Sequence, residues 1–456
     1  MLNRVLELAA AGRAQATQDL LELIRIPTVS TLPEHAADCR RAAEWLGERL
    51  RRMGMTVEIA DVPGEKHPVV AAEWHGRPGA PTVAIYGHYD VQPPDPLEEW
   101  VSPPFEPVVR DGFIYARGSD DNKGQHMCGL KAAEYWFAVG GPPVNLRFLI
   151  EGEEEISGRA LPRYLHENAA RLATDFVFIA DGSFTAPGMP NLTTALRGLL
   201  YTEIAVEGAP VDLHSGIYGG VAPNPLNTLA HIISALKGRD GVVTIPGFYD
   251  EVSQPGSDEL DSWTRLPVGE AAQKAEMGVA ELEGELNLTP AERKWARPTL
   301  DVHGVIGGFT GDGAKTVIPA RARAKVSMRL VPFQDPAKVL SSLRSYASAL
   351  ATPGTTVSVR EISSAPPVLT GTDHPGVAAA SRAFEKAFGA PAALQREGGS
   401  IPVTVDFQEA LGARMLVTGF GLPGDALHSP NERYSLDQYH RGIEMVIHLL
   451  DELSRT

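Results

Sequence analysis

Four short apolar runs in this chain each end in histidine or acid. Thr82–Tyr86 leads into Gly87-His88-Tyr89-Asp90, and Asn145–Ile150 into Glu151-Gly152-Glu153-Glu154-Glu155. Phe176–Ala180 leads into Asp181-Gly182, and Met415–Thr418 into a loop holding His428-Ser429-Pro430-Asn431-Glu432. Runs this short, bounded by turn residues, read as strands buried on both faces. Amphipathic stretches follow around Lys123–Val139, Ala160–Leu172, Pro375–Phe388 and Asp437–Leu453, after an earlier one at Ala36–Met53. Strand and helix in alternation predict an α/β domain with a mostly parallel sheet. Open sheets of that kind hold ligands beyond the carboxyl ends of their strands. The polar residues closing the four runs are therefore expected in one crevice.

A chain of 456 residues is too long for one ordinary domain. The middle has a different rhythm: Leu199–Val206, Val302–Val305, Arg321–Leu330 and Thr356–Val359 alternate like half-buried strands. They are joined by helical stretches at Asn227–Leu236 and Pro336–Leu350. This is an α+β pattern inserted into the α/β domain. The expected division is 1–196 and 362–456 for the first domain and 197–361 for the insert. Phe248–Glu285 is acidic and helix-forming, an elaboration of the insert whose role the residues do not disclose.

The net charge of −16 argues against nucleic acid, whose phosphates need an excess of Lys and Arg. No apolar run is long enough to span a membrane. The first residues do not read as a signal peptide. Two cysteines, Cys39 and Cys128, are too few for a disulfide framework or a thiolate metal site. A cytoplasmic protein fits. His88, His428 and the carboxylates at the strand ends form a thiol-free ligand set suited to zinc or manganese. Gly118-Ser119-Asp120-Asp121-Asn122-Lys123-Gly124 adds two aspartates just before a helix. His88 and Asp90, two apart on an extended chain, share a face, so one can ligate while the other orients it.

Six segments in order resemble the aminoacylase–carnosinase family of dinuclear metallopeptidases, and most closely its cytosolic non-specific dipeptidase and carnosinase branch. They are Gly-His-Tyr-Asp-Val-Gln-Pro-Pro, Gly-Ser-Asp-Asp-Asn-Lys-Gly, Glu-Gly-Glu-Glu-Glu-Ile-Ser-Gly, Asp-Leu-His-Ser-Gly-Ile-Tyr-Gly-Gly, Arg-Glu-Gly-Gly-Ser-Ile-Pro-Val and His-Ser-Pro-Asn-Glu. The resemblance implies two divalent ions per chain, zinc or manganese. It implies His88 on one ion and His428 on the other, Asp121 bridging them ahead of a cis Asp121–Asn122 bond, and Glu155 and Asp181 as the remaining carboxylate ligands. Asp90 would orient His88. Glu154 would be the general base, taking a proton from the attacking water and passing it to the leaving amine. The spacing to Ser157-Gly158 favours this register over Glu153 as base.

The resemblance further implies a homodimer in which His214 reaches the partner's active site and stabilises the oxyanion. It implies a small peptide substrate whose carboxylate meets Arg329, Ser400 and the Gly399 backbone, with Asn224 and Thr316 as further lining residues. The implied activity is hydrolysis of dipeptides or short peptides. The same site chemistry would serve an N-acyl or N-succinyl amino-acid deacylase. A non-catalytic binding protein is the alternative of another class, and it should lack a ligand or the base. No such position is missing.

Overall fold

The computed structural model describes residues 1–398, 401 and 403–456. The chain divides into two compact units. One gathers Met1–Thr194, Thr370–Gln395 and the described part of 402–456; the other gathers Ala195–Leu369 and the described part of 396–401.

In the first unit, the four runs that end in histidine or acid are the parallel centre of one sheet. Asn145–Glu151, Thr82–His88, Phe176–Ala180 and Arg414–Thr418 lie side by side in that order, all parallel. Alternate residues of Thr82–His88 show why these runs are apolar throughout. Ile85 meets Gly129 of the helix Lys123–Phe137 on one face. The neighbouring Tyr86 ring stands edge-on to Phe407 of Val403–Leu411 on the other, 5.7 Å between centroids. With helices on both faces, neither row of side chains meets water. Gly87 has no side chain because His126 occupies its place: a Cβ there would come within 2.3 Å of the histidine Cβ.

The sheet as a whole is mixed rather than mostly parallel. Thr56–Ala60 pairs antiparallel with Val69–Trp74, and that strand pairs antiparallel with Asn145–Glu151. Asn191–Leu196 joins the other side antiparallel, at Thr193 opposite Val417. The link between Ala60 and Val69 is too short for the crossover that parallel pairing demands. One helix is also shorter than its sequence pattern. The run expected to reach Leu172 ends at Glu167, where the Asn168 side chain donates to the Tyr164 carbonyl.

The second unit is a four-stranded antiparallel sheet in the order Thr299–Gly307, Arg321–Leu330, Gly198–Glu207, Thr356–Ala365. Leu200, Ile204 and Val206 alternate onto the face covered by Leu229, Ile232 and Leu343 of the helices Pro225–Leu236 and Pro336–Ala349. The acidic stretch contains the helices Ser257–Trp263 and Glu270–Met277. Its Glu259 is buried and grips Arg396 through two bonds, Nε to Oε1 at 2.8 Å and Nη2 to Oε2 at 2.7 Å. Such a fork holds Arg396, and with it the end of the strand Ala393–Glu397, in a fixed place.

Loop 117–121 of the first unit is held from far along the chain. The buried Glu432 carboxylate accepts from Arg117 Nη1 at 2.7 Å and from the main-chain N–H groups of Gly118, Asp120 and Asp121 at 2.8, 2.9 and 3.1 Å. Removing one partner of a buried ion pair strands the other charge. Glu432→Ala is expected to lower the unfolding free energy by about 3–5 kcal/mol, read by chemical denaturation. A loss under about 1 kcal/mol would mean that water replaces the carboxylate.

Burial holds the His126 imidazole near pKa 3, far below its ordinary 6.5, with the neighbouring His88 and Lys123 pushing the same way. Below pH 6.5 the unfolded chain takes up a proton that the folded chain refuses, so stability falls as the pH drops towards about 3. The slope from this group is about 1.4 kcal/mol per pH unit. His126→Leu should flatten the stability–pH curve by that amount between pH 4 and 6, and parallel curves would rule the group out.

Candidate metal centre

His88 closes its strand fully buried. Its Nδ1 lies 3.1 Å from the Asp90 main-chain oxygen and 3.4 Å from Asp90 Oδ1. A main-chain oxygen can only accept, so Nδ1 carries a proton and Nε2 is the ring nitrogen turned to the carboxylates. Nε2 lies 3.2 Å from Asp121 Oδ1 and 3.7 Å from Asp181 Oδ2, yet forms no hydrogen bond of acceptable geometry. Three ligand atoms so placed meet around a common point rather than pairing with one another.

Asp181 follows the last residue of Phe176–Ala180. Its N–H donates to the Thr418 carbonyl at 2.9 Å, where the adjoining backbones run so close that a Cβ on Gly419 would overlap the Gly182 carbonyl. The Asn122 side chain donates to Asp181 Oδ1 at 2.9 Å and to the Ala180 carbonyl at 2.7 Å. The Asp121–Asn122 peptide is cis.

A second trio shares Asp121. His428 Nε2 lies 2.9 Å from Asp121 Oδ2 and 3.3 Å from Glu155 Oε2. His428 has a left-handed backbone, φ 57°, on the loop after Arg414–Thr418. Within each trio, His88–Asp121–Asp181 and Asp121–Glu155–His428, the ligand atoms lie within 4.8 Å of one another. The three consecutive glutamates differ in what they touch. Glu153 is buried and accepts from the main-chain N–H groups of Lys66 and His67, at 2.5 and 2.9 Å. Glu155 joins the second trio. Glu154 belongs to neither.

The electrostatics fit a divalent cation. Burial pushes the Glu154 carboxyl up to about 9 against the pull of His88, with Asp181, Glu155 and Asp121 adding to the rise. Burial also raises Glu155. The Asp121 and Glu155 carboxylates raise His428 to about 10. His88 is raised by Asp121 and Asp181 although burial opposes the charge. Negative charge this crowded must be compensated by protons or by cations. Two imidazoles and three carboxylates sharing Asp121 are a donor set for two dications.

The other sequence candidates lie in the second unit. His214 is exposed and accepts from the Gly216 N–H through Nδ1 at 2.9 Å, which leaves Nε2 as a donor. Thr316 is exposed, and its carbonyl accepts from the Ser215 N–H. Asn224 caps the helix Pro225–Leu236 by accepting from the Leu226 N–H. Arg329 lies opposite Leu199 and Thr299 in the sheet. Gly399 and Ser400 lie outside the described residues. Asn122, Gln92 and Glu432 were not singled out from the sequence. All three lie inside the quoted motifs, where neighbourhood to a ligand was the available signal.

Sequence and structure comparisons agree with this geometry. Residues 84–452 match the family model described as peptidase family M20/M25/M40. The chain is 29% identical to the Cys-Gly metallodipeptidase dug1 of Schizosaccharomyces pombe, over 99% of this chain and 98% of that protein. It is 32% identical to the cysteinylglycine-S-conjugate dipeptidase of Corynebacterium striatum, over 92% and 91%. The crystal structure of the M20 family metallo-carboxypeptidase Sso-CP2 of Sulfolobus solfataricus superposes with a TM-score of 0.82 and 31% identity, covering 97% of this chain and 99% of that one. The chain belongs to peptidase family M20/M25/M40.

Proposed function

We propose that this protein is a metallodipeptidase, cleaving the peptide bond of dipeptides or short peptides with two divalent ions per chain. The observation that carries the reading is the pair of ligand trios sharing Asp121, with Glu154 beside both and outside each. Relatives named as Cys-Gly and cysteinylglycine-S-conjugate dipeptidases support the substrate class. His88 and Asp181 would hold one ion, Glu155 and His428 the other, and Asp121 both, with Asp90 fixing the His88 ring. Zinc suits two imidazoles with carboxylates, and manganese is the other fit.

When bound, the ions supply Lewis acidity to the scissile carbonyl and acidity to a water. Glu154 accepts the proton from the attacking water at its carboxylate and delivers it to the leaving amine nitrogen. Arg329 would grip the substrate carboxylate through its planar fork, with Ser400 and Gly399 alongside and Asn224 and Thr316 lining the pocket.

The inserted unit would serve as a lid and a dimerisation surface. Its edge strand Thr299–Gly307 exposes Val305 and Ile306, at 53% and 68%, on a row of unpaired backbone groups that a second copy could cover. In such a homodimer His214, with Nε2 as donor, would stabilise the oxyanion in the partner's site. A reducing, cytoplasmic setting suits Cys39 and Cys128, both buried free thiols. No described helix is long and apolar enough to cross a membrane.

The likeness to a metallo-carboxypeptidase supports a second reading, release of one C-terminal residue from longer peptides. A panel of dipeptides, longer peptides and N-acyl amino acids separates the two from each other and from deacylation. Stripping the metal with a chelator is expected to abolish hydrolysis, and divalent metal to restore it. Glu154→Gln is expected to keep both ions and lose about 10²–10⁴ in kcat. Full activity in a chain verified as metal-free would sink the proposal.

A further inference from the structure

We propose that Gln92 is a positioning residue for one ion only, the one that Glu155 and His428 would hold. The inference rests on the dinuclear reading above and extends it to a side chain outside both ligand trios. Gln92 Nε2 donates to Glu155 Oε2 at 2.8 Å and to the Glu155 main-chain oxygen at 3.2 Å. Both partners are acceptors, so the amide must turn its nitrogen towards them. Its two N–H bonds are spent on a single residue. The Glu155 N–H donates in turn to Asp90 Oδ2 at 3.1 Å. Glu155 is thus fixed at its nitrogen, its carbonyl and one carboxylate oxygen. That oxygen lies 3.3 Å from His428 Nε2, while Oε1 is buried without a hydrogen bond.

The first trio is held by other means. Asp90 orients His88, and Asn122 holds Asp181. Residues 88, 90 and 92 follow one another at every second position of the chain leaving the His88 strand, and they divide the work. Asp90 touches His88 and the Glu155 backbone, so it serves both trios. Gln92 bonds to Glu155, so it serves one. Without its two N–H bonds, the buried Glu155 carboxylate keeps only His428 beside it and loses the amide that sets its rotation. Outer partners of this kind change metal affinity by about 10–100-fold.

The test is metal titration of the full chain after stripping, with zinc and with manganese alone, comparing wild type with Gln92→Met. Methionine keeps the length and bulk and removes both N–H groups. The wild type is expected to bind two ions. The variant is expected to bind one with wild-type affinity and the other about 10–100-fold more weakly. Added metal should then restore its kcat with KM unchanged, and the stripped variant should melt with the stripped wild type. Parallel weakening of both ions, or wild-type affinity at both, would overturn the proposal. If Gln92→Met does not fold, Gln92→Ala gives the same comparison. A wild type that binds fewer than two ions would remove the dinuclear reading and this inference with it. Two ions bound with the same two affinities in wild type and variant would remove the inference alone.

Discussion

Everything at this centre depends on one carboxylate being in two places at once. Asp121 Oδ1 lies against His88 and Oδ2 against His428, so a small rotation of the aspartate that favoured one cluster would break the other. The backbone beneath it therefore has to be rigid. Glu432 supplies the rigidity by accepting from three main-chain donors of the loop together with the Arg117 guanidinium. A carboxylate with four donors is well solvated by protein, which is why a charge can sit there fully buried.

The same economy extends outwards. Asn122 ties Asp181 to the end of its strand, and Asp90 ties His88 to the Glu155 backbone. Few ligands have a private support. The site behaves as a lattice of shared hydrogen bonds, in which the loss of one member is felt by two neighbours. Within the inserted unit, the Glu259–Arg396 fork does comparable work, since it fixes the end of the strand Ala393–Glu397.

The central strands were legible because both their faces are covered, which forces apolar residues at every position. The convergence of His88, Glu155, Asp181 and His428 was legible for a related reason, since each follows an apolar run and parallel strands present their ends together. The antiparallel flanks were not legible, because pairing direction depends on the shortness of one link rather than on strand composition. Three identical glutamates could be ordered only through family resemblance; in the structure the main-chain N–H groups of Lys66 and His67 claim Glu153. Glu432 and Gln92 were written in the motifs but silent, since a hydrogen bond to a distant backbone leaves no periodic trace. The acidic stretch hid its Glu259 likewise, its partner being far away in sequence.

The spacing of these residues has a consequence for how the protein is made. The two trios draw on residues from His88 to His428, and the clamp on Asp121 comes from Glu432, far along the chain. Until Glu432 has been made, His88, Asp121 and Asp181 are already synthesised but the loop that carries Asp121 lacks its anchor. The anchored form of the loop therefore has to wait for Glu432.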